Sequence, residues 1–335
     1  MAQAAAIFGC AGAELGADEA RFFRDADPFG FILFARNVEH PAQLLRLTSA
    51  LRDAVGRDAP VLVDQEGGRV QRLRAPHWRE WLPPLDEAEQ AGARAEDVLR
   101  LRYEIIGREL RAVGIDADCA PCADIAGPET HPFLRNRCLG TDPATVALRA
   151  RAVAEGLLAG GVLPVMKHLP GHGRAAVDSH HSCPRVAAPL DELRVTDLAP
   201  FRALNDLPMA MTGHIVLDAV DAERPSTASP AVIALIRQEI GFDGLLMTDD
   251  LSMEALSGSI AGRAAAGIAA GCDIALHCNG KLAEMVAVAE AAGGLTPEAR
   301  IRGARALARR AMVGAVDPAD LDARFAALVK GAGDG

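Results

Sequence analysis

The sequence of 335 residues has few aromatic side chains and no long hydrophobic runs. Only 4% of its residues are Phe, Trp or Tyr, although 50% are hydrophobic. A large core can therefore be buried, built mainly from Ala, Leu, Val and Ile. No uninterrupted apolar stretch reaches the roughly 18 residues of a spanning helix, and the N-terminal stretch lacks the basic region of a signal peptide. We therefore expect neither membrane insertion nor secretion, and a cytoplasmic location.

Clusters of Lys and Arg are also missing. The formal net charge is −10 and the pI is near 5.4. Binding of nucleic acid or of an anionic membrane surface needs a basic patch or stripe, and the sequence forms none. The expected partner is a small molecule, with no nucleic acid and no membrane.

The cysteine pattern argues against a disulfide framework. The chain has seven cysteines, an odd number, and one CxxC motif, formed by Cys119 and Cys122 with Pro121 between them. Most of the cysteines lie in apolar, strand-like runs, so we interpret them as reduced packing residues, as expected in the cytosol. A zinc or redox role for the CxxC motif is the less favoured alternative.

Eight short apolar runs alternate with amphipathic segments along the chain. The amphipathic segments, such as 41–55, 144–160 and 229–241, repeat apolar residues every three or four positions and tend to end at Gly. Strand followed by helix, eight times, predicts an α/β fold with a single (β/α)8 TIM-type barrel; a doubly wound open sheet shows the same alternation, but eight units argue against it. No linker divides the chain, so we expect one catalytic domain over 1–335 with a mobile tail at 330–335. The predicted strands cover 5–10, 30–36, 60–65, 115–121, 162–168, 209–215, 245–250 and 273–278.

Polar residues stand where five of these strands end. They are Asp64, His168, His214, Asp249 and Asn279. Barrel enzymes place their chemistry at the C-terminal ends of the strands. We therefore expect these five side chains to surround one site.

The stretch "VDQEGGRVQRL" combines carboxylates and guanidinium groups around a turn. Asp64 and Glu66 precede two glycines that permit a tight turn, and Arg69 and Arg72 follow. A carboxylate and a guanidinium held close together can share a polyhydroxylated ligand. A solvated turn with a surface ion pair is an equal alternative from these residues alone.

The stretch "LLMTDDLSMEAL" runs from an apolar strand into two aspartates and then into a predicted amphipathic helix. Asp249 is the last residue expected to point from the strand mouth, where a carboxylate suits a covalent nucleophile or a cation stabiliser. Asp250 is expected to cap the following helix. Capping by both aspartates is the alternative.

The stretch "KHLPGHGRAAVDSHHSCP", residues 167–184, allows three interpretations. A proton-transfer device is one, because Asp178 and His180 are two residues apart and face the same way in an extended loop, so the carboxylate can fix the imidazole tautomer. Plain surface histidines are another. The third is a metal site, although the His-x-His pair usual in amidohydrolase-type barrels is missing. Its ligands would come from His168, His172, His180, His181 and Asp249.

Six segments together resemble the family-three glycoside hydrolases, in the right order and over nearly the whole chain. More narrowly, they are similar to the bacterial β-N-acetylhexosaminidases of peptidoglycan recycling. The pieces "KHxPGHG…DSH" and "TDDLSM" are the most specific. The segments are "ILFARNVEHPAQLLRLTSALR", "VDQEGGRVQRL", "NRCLGTDP", "KHLPGHGRAAVDSHHSCP", "MTGHIVLDAVDAERPSTASP" and "GFDGLLMTDDLSMEAL".

The resemblance implies a retaining exo-β-N-acetylglucosaminidase that removes non-reducing terminal β-linked N-acetylglucosamine from peptidoglycan-derived muropeptides. It implies Asp249 as the nucleophile of a covalent glycosyl-enzyme, His180 as the acid/base and Asp178 as the group that orients His180. No cofactor and no metal is implied, and we expect a monomer. A metal-dependent barrel hydrolase and a non-catalytic sugar-binding barrel remain as alternatives.

Further residues match positions at which the family holds the sugar, or lie near them. The sequence stops after the eighth strand-helix unit, so the acid is expected from the barrel and not from a second domain, as in larger family members. Departures from the family pattern are the segment "APCADI", where an apolar residue usually precedes the aspartate, Cys138 in "RNRCLG" and the additional His181. The implied sugar-binding residues are Asp64, Arg72, Arg137, Lys167 and His168, with His214 and Asn37 at motif positions nearer the barrel mouth.

Overall fold

The computed structural model describes residues 3–175, 183–310, 314 and 316–330. Eight parallel strands form one sheet in the order β7-β6-β5-β4-β3-β2-β1-β8. A bridge between Met247 and Ile274 joins the two edge strands and closes the barrel, so the predicted (β/α)8 fold is confirmed. The strands are β1 Ala4–Gly9, β2 Pro28–Leu33, β3 Val61–Val63, β4 Ala117–Asp118, β5 Leu163–Leu169, β6 Met209–Thr212, β7 Leu245–Met247 and β8 Ala275–His277.

Every residue of the eight strands is buried, as expected for a parallel sheet covered on both sides. The shortest strand is β4, where seven residues were predicted and two are strand. Its neighbours still follow the sheet, since Cys119 N donates to Val63 O at 2.8 Å and Val165 N donates to Ala120 O at 3.0 Å. The pairing with β5 continues past Pro121, because Lys167 N donates to Pro121 O at 3.0 Å and a parallel bridge joins Cys122 and Lys167.

Thirteen α-helices are assigned in the described residues, besides four short 3-10 or π segments, and several of the α-helix ends follow from local capping. The predicted helix 41–55 is confirmed by α2, which has Pro41 at its first position and ends at Gly56 with φ 65°. Asp142 caps α6 through a 3.0 Å bond from Thr145 N. The helices are α1 Ala17–Ala26, α2 Pro41–Val55, α3 Pro84–Ala91, α4 Ala95–Ala112, α5 Pro132–Arg135, α6 Pro143–Ala159, α7 Leu190–Val195, α8 Ala199–Ala203, α9 Pro230–Leu235, α10 Ile260–Ala270, α11 Leu282–Ala292, α12 Pro297–Leu307 and α13 Pro318–Lys330.

The helix predicted directly after the two aspartates is wrong. Residues 251–258 form turns, and α10 begins at Ile260 after the cap residue Ser259. The reason is Asp250, whose carboxylate accepts from Ser252 N at 3.0 Å and from Ser252 Oγ at 2.6 Å. These bonds turn the chain at once, so Asp250 caps a turn and not a helix.

The N-terminal end of the barrel is fixed by a buried carboxylate. Asp116 is fully buried, and its Oδ1 accepts from Val61 N at 2.7 Å. Its Oδ2 accepts from Arg310 Nη1 at 2.7 Å, which ties the chain beyond α12 to the base of the sheet. This contact lies on the face opposite the strand ends that carry the predicted site.

None of the helices in the described part of the chain combines the length and the apolar character that a membrane crossing requires. Of the tail predicted to be mobile, Lys330 is the last residue of α13. Residues 331–335 lie outside the described residues.

Candidate active site

A cavity of about 260 Å³ lies at the C-terminal ends of the barrel strands. Three of the five strand-end residues that the sequence singles out line it, and so do three further residues implied by the resemblance. The cavity therefore brings together most of the residues expected to act on a ligand. The six are Asp64, Arg72, Arg137, Lys167, His168 and Asp249.

Five charged side chains form a continuous row, which we call the charged row: Arg72, Asp64, Lys167, Glu66 and Arg137. All of them except Glu66 line this cavity. Arg72 Nη2 lies 2.8 Å from Asp64 Oδ2, and Lys167 Nζ lies 2.8 Å from Asp64 Oδ1. The same ammonium is 2.6 Å from Glu66 Oε1, and Arg137 binds both oxygens of Glu66 at 2.7 and 2.9 Å. With three cations and two anions, the row carries one net positive charge.

The charged row keeps both of its carboxylates ionised. Burial alone would raise their pKa values, but Lys167 and Arg72 outweigh it and hold the pKa of Asp64 well below its ordinary value. Arg137 and Lys167 likewise lower the pKa of Glu66 to about 2 against the effect of burial. The surface ion pair considered from the sequence is therefore excluded for Glu66, whose side chain is 1% exposed.

The turn expected in "VDQEGGRVQRL" is a hairpin that presents the charged row. Gln65–Gly67 pairs antiparallel with Val70–Gln71. Gly67 and Gly68 have φ values of 108° and 55°, which glycine adopts without steric cost. Arg69 follows at the turn, where its guanidinium carbon lies 3.9 Å from the ring centre of Phe133, and both residues line the cavity.

A further carboxyl group, Asp118, is buried near the charged row. It is fully buried at the end of β4, and its Oδ1 accepts from Gln65 N at 2.9 Å. Its Oδ2 has no hydrogen-bond partner within the described residues. Burial raises the pKa of Asp118 to about 8; the Gln65 amide and Lys167 oppose this, and the charged row's carboxylates add to it. The group is therefore protonated at neutral pH.

His168 is held in place by Asp124. The imidazole Nδ1 lies 2.7 Å from Asp124 Oδ2, and His172 N donates to the other oxygen, Oδ1, at 2.6 Å. Burial opposes ionisation of Asp124, but His168 outweighs it and lowers the pKa to about 2. Burial is the main cause that lowers the pKa of His172, and the neighbouring His168 adds to it, so that the pKa is about 4. His172 is therefore neutral.

A metal cage built from the cavity histidines and Asp249 is not found among the described residues. The rings of His168 and His172 have centroids 5.6 Å apart. Within the described ranges, the set that places three possible ligand atoms close together is Cys122, Asp124 and His168.

Asp249 lies at the end of β7, and its Oδ1 accepts from Asp250 N at 2.7 Å. Burial would raise its pKa, but the rings of His214 and His168 when they carry a proton, the amide of Asp250 and the ammonium of Lys167 outweigh it. The pKa of Asp249 is therefore lowered, and the group is a carboxylate at neutral pH. Such a group can attack an electron-poor carbon or stabilise a developing cation.

His214 is fully buried and is not among the residues that line the cavity. Its Nδ1 lies 2.8 Å from Thr227 Oγ1, and its Nε2 lies 3.0 Å from Asp250 O. Burial lowers the pKa of His214, so the neutral ring accepts from the hydroxyl and donates to the carbonyl. It thereby supports the backbone that carries Asp249.

Two polar residues at the barrel mouth form hydrogen bonds with neighbouring loops and do not face the cavity. Asn279 donates to Glu284 Oε2 at 2.6 Å and accepts from Lys281 N at 2.9 Å, which fixes the start of α11. Asn37 is fully buried and donates to Cys10 O at 3.1 Å. Neither lines the cavity.

The residues predicted to transfer the proton, Asp178 and His180, lie outside the described residues, as does His181. The described chain stops at Ala175, whose N donates to the cavity residue His172 at 3.0 Å. It resumes at Cys183, whose Sγ lies 3.7 Å from His214 O. Of the described residues that flank this stretch, Ala175 is therefore bonded to a residue that lines the cavity and Cys183 to one that does not.

Two residues that complete the site were not assigned a role from the sequence. Glu66 was noted only as part of the turn, and Asp124 only as the aspartate of "APCADI". Asp124 lies beyond β4, so the same strand-end rule that selected Asp64 could have found it. The partners of Glu66, Arg137 and Lys167, come from distant segments, and no local signal identifies them.

Comparison with known proteins gives a consistent result. The chain matches the family described as Glycosyl hydrolase family 3 N terminal domain over residues 15–309. A β-hexosaminidase of Pseudomonas aeruginosa is 37% identical over 295 residues, which are 87% of each chain, and one of Methylococcus capsulatus is 38% identical over 282 residues, 82% of each. The crystal structure of NagZ from Neisseria gonorrhoeae in complex with N-trifluoroacetyl-D-glucosamine has a TM-score of 0.86 at 29% identity and covers 98% of this chain and 99% of that one.

Proposed function

Because the chain belongs to glycosyl hydrolase family 3 and is therefore a glycoside hydrolase, we propose that it is a retaining exo-β-N-acetylglucosaminidase. It removes terminal β-linked N-acetylglucosamine through a covalent glycosyl intermediate on Asp249. The observation that carries the proposal is the ionised carboxylate of Asp249 in the same small cavity as the charged row. A nucleophile and a set of hydrogen-bonding groups for a sugar ring thus share one pocket.

The size of the cavity supports removal of a single terminal sugar. Its volume is about 260 Å³, just below the range of about 300–1,000 Å³ for small-molecule pockets. Such a space suits one sugar ring better than a chain of rings. The relative bound to N-trifluoroacetyl-D-glucosamine supports an N-acylated amino sugar as that ring.

The charged row and His168 are proposed to hold the hydroxyl and acetamido groups. Asp64, for example, has both oxygens in contact with cations, yet each carboxylate oxygen has a second lone pair for a sugar hydroxyl. Arg72 and Arg137 supply several N–H donors each. Since these side chains are paired before the sugar binds, little rotamer freedom remains to be lost on binding.

In the first step, Asp249 attacks the anomeric carbon C1 while the bond from C1 to the leaving oxygen breaks. Asp249 Oδ1 accepts from Asp250 N, so Oδ2 is the proposed attacking oxygen. In the second step, water attacks C1 and the bond to Asp249 breaks, which restores the carboxylate and gives net retention. His214 is proposed to position Asp249 through the backbone carbonyl of Asp250.

His180 is proposed to move the proton, with Asp178 to orient it. Both lie outside the described residues, so the support comes from their spacing in the sequence and from the attachment of this stretch beside His172. His180 gives its proton to the leaving oxygen in the first step and takes one from water in the second. An imidazole with an ordinary pKa near 6.5 can do both near neutral pH.

The proposed substrates are muropeptides derived from peptidoglycan, and the proposed setting is cell-wall recycling in the cytoplasm. The chain acts there as a monomer on a small carbohydrate, without nucleic acid, membrane or cofactor. All seven cysteines are free thiols, which supports a reducing compartment.

The decisive test is incubation with 5-fluoro-N-acetylglucosaminyl fluoride, followed by mass spectrometry of the intact protein and its peptides. We expect one sugar adduct, on Asp249, and none in Asp249→Asn. Asp250→Asn is the matched control, because it removes the neighbouring carboxylate of the same cavity and should still allow the adduct. An adduct on any other residue would refute the assigned nucleophile.

The source of the sugar is tested by comparing kcat/KM for N-acetylglucosaminyl-anhydromuramyl peptides and for chitin oligomers. We expect the muropeptide to be the better substrate. A preference for chitin oligomers would leave the glycosidase mechanism intact and refute the role in cell-wall recycling.

A further inference from the structure

The backbone carbonyl of Glu66 is held from outside the barrel by helix α4. Two neighbouring side chains of that helix converge on it: Arg102 Nη2 donates to Glu66 O at 2.6 Å, and the Tyr103 hydroxyl donates to the same oxygen at 2.9 Å. Burial raises the pKa of Tyr103, so the phenol keeps the proton that it donates. The backbone of a member of the charged row thus receives two buried hydrogen bonds from one helix.

Arg102 is fully buried, and it also binds the segment that packs against the hairpin. Its Nη2 donates to Leu82 O at 2.9 Å, and its Nη1 is paired with Glu87. A Cβ atom on Gly67 would overlap the Arg102 guanidinium, so the hairpin rests directly on this side chain. A buried ion pair adds little net stability, because the cost of desolvation offsets the attraction. The bonds of Arg102 to two carbonyls therefore indicate a role in fixing the hairpin.

Helix α4 is itself packed closely against α6. A Cβ atom on Gly160, directly after α6, would lie 2.7 Å from the backbone oxygen of Glu104, and one on Gly156 would lie 3.0 Å from Tyr103 Cβ. Only glycine permits so close an approach of the two helices. Because interiors packed this densely resist displacement, α4 offers a fixed support for the hairpin.

We propose that Tyr103 and Arg102 are positioning residues for the sugar, although neither lines the cavity. They fix the backbone of Glu66, and the Glu66 carboxylate then fixes Arg137 and Lys167. The carboxylate lies 2.6 Å from Lys167 Nζ and binds Arg137 at 2.7 and 2.9 Å. The sugar-binding role of these two cations belongs to the proposed function, so the inference rests on that function.

The expected effect of losing this support is on sugar binding and not on the chemical step. Glu66 is followed by Gly67 and Gly68, whose φ values are positive, and glycine readily adopts other conformations when a bond is lost. A shift of Glu66 moves cations that contact the sugar in the ground state and in the transition state alike. Loss of such uniform binding raises KM and leaves kcat unchanged. Asp249 follows β7, on the side of the barrel opposite β3, and keeps its place.

Tyr103→Phe is the sharpest test, because it removes one hydroxyl and keeps the ring. KM and kcat are measured with a chromogenic N-acetylglucosaminide, and the Kd of N-acetylglucosamine is measured by calorimetry. We expect KM and Kd to rise about two- to tenfold, which corresponds to the net contribution of one hydrogen bond. The value of kcat should stay within about twofold of the wild type.

Thr48→Val is the matched control. Thr48 is fully buried on α2, and its hydroxyl donates to Val113 O at 2.9 Å, in the segment that leads into β4. The substitution therefore removes a buried bond from a hydroxyl to a carbonyl at the end of the barrel opposite the site. It should leave KM, kcat and Kd unchanged. A rise equal to that of Tyr103→Phe would indicate a general effect of lost stability and would overturn the proposal.

Hydrogen exchange followed by mass spectrometry tests the fixing of the hairpin without any sugar. Peptides that cover residues 65–73 should exchange faster in Tyr103→Phe than in the wild type, and Thr48→Val should exchange like the wild type. Equal exchange of these peptides in Tyr103→Phe and the wild type would refute the positioning role.

Arg102→Lys tests the second donor. The ammonium keeps a positive charge beside Glu87 but lacks the planar fork that reaches two carbonyls, so KM should rise as in Tyr103→Phe. If circular dichroism shows that Arg102→Lys is unfolded, Tyr103→Phe alone decides. An active wild type together with an unchanged KM in Tyr103→Phe would refute the positioning role and leave the proposed function intact. A wild type that neither hydrolyses the substrate nor binds the sugar would instead refute the proposed function, and the sugar-binding part of this inference with it.

Discussion

Replacement of Asp118 by Asn should make folding less sensitive to pH. Asp118 has a pKa of about 8 in the folded protein against 3.8 ordinarily, so between these pH values the folded state keeps a proton that the unfolded chain releases. The free energy of unfolding then falls as the pH rises, by at most about 1.4 kcal/mol per pH unit. The stabilising contribution is fully present below about pH 4 and is lost by about pH 8.

The expected loss of unfolding free energy is large enough to measure over two pH units. From about pH 6 to about pH 8 the expected loss is about 2 kcal/mol, less than the maximum because the titration levels off near the folded pKa. The asparagine side chain that replaces Asp118 would be neutral throughout, so the variant lacks this loss. Its amide has the shape of the protonated carboxyl group and can still accept the bond from Gln65 N.

The assay is urea denaturation of wild type and Asp118→Asn at both pH values. Between these pH values the free energy of unfolding of the wild type should fall by about 2 kcal/mol more than that of the variant. The contributions of the other titrating groups are the same in both proteins and cancel in this comparison. Asp142→Asn is the control, because the Thr145 amide lowers the pKa of Asp142 and this group does not titrate above pH 6. An equal loss in wild type and Asp118→Asn would refute a protonated Asp118.

Three further substitutions test separate parts of the structure. Lys167→Met should cost about 3 kcal/mol in urea denaturation and abolish turnover, because it leaves the two carboxylates of the charged row facing each other; a stable, active variant would contradict this. Arg310→Ala should destabilise by less, about 1–2 kcal/mol, because Arg52 and Arg111 lie 3.5 and 3.8 Å from the same oxygen of Asp116, with kcat/KM unchanged below the unfolding temperature; a fall in kcat/KM would argue against a structural role. His214→Asn should lower kcat on the order of tenfold or more with KM nearly unchanged, since it supports the carbonyl of Asp250; a raised KM would instead indicate contact with the sugar.

The barrel could be predicted because its signal is local and repeated. Each strand overlaps one of the eight predicted apolar runs, and a helix such as α2 has its own start signal at Pro41 and its own end signal at Gly56. The incorrect prediction of a helix directly after β7 also has a local cause. The residues of "LSMEAL" have helical spacing, but the side chain of Asp250 bonds to Ser252 and this competes with helix formation.

The site could be predicted only in part, because a position at the end of a strand does not show whether the side chain faces the cavity or bonds to a neighbouring loop. The rule correctly brought Asp64, His168 and Asp249 to one cavity, yet it also selected Asn279, whose amide is bonded to Glu284. It gave no reason to choose Glu66, because the ion pairs of that residue depend on the closure of the barrel.

The charged row has a consequence for both steps of the proposed reaction. Its net positive charge favours the carboxylate form of Asp249, and Lys167 is among the groups that lower the pKa of Asp249. A stabilised carboxylate is a weaker nucleophile in the first step but a better leaving group in the second. Because the glycosyl ester on Asp249 carries no negative charge, the row does not stabilise it as it stabilises the free carboxylate. The same electrostatic arrangement that slows formation of the intermediate therefore favours its hydrolysis and limits its accumulation.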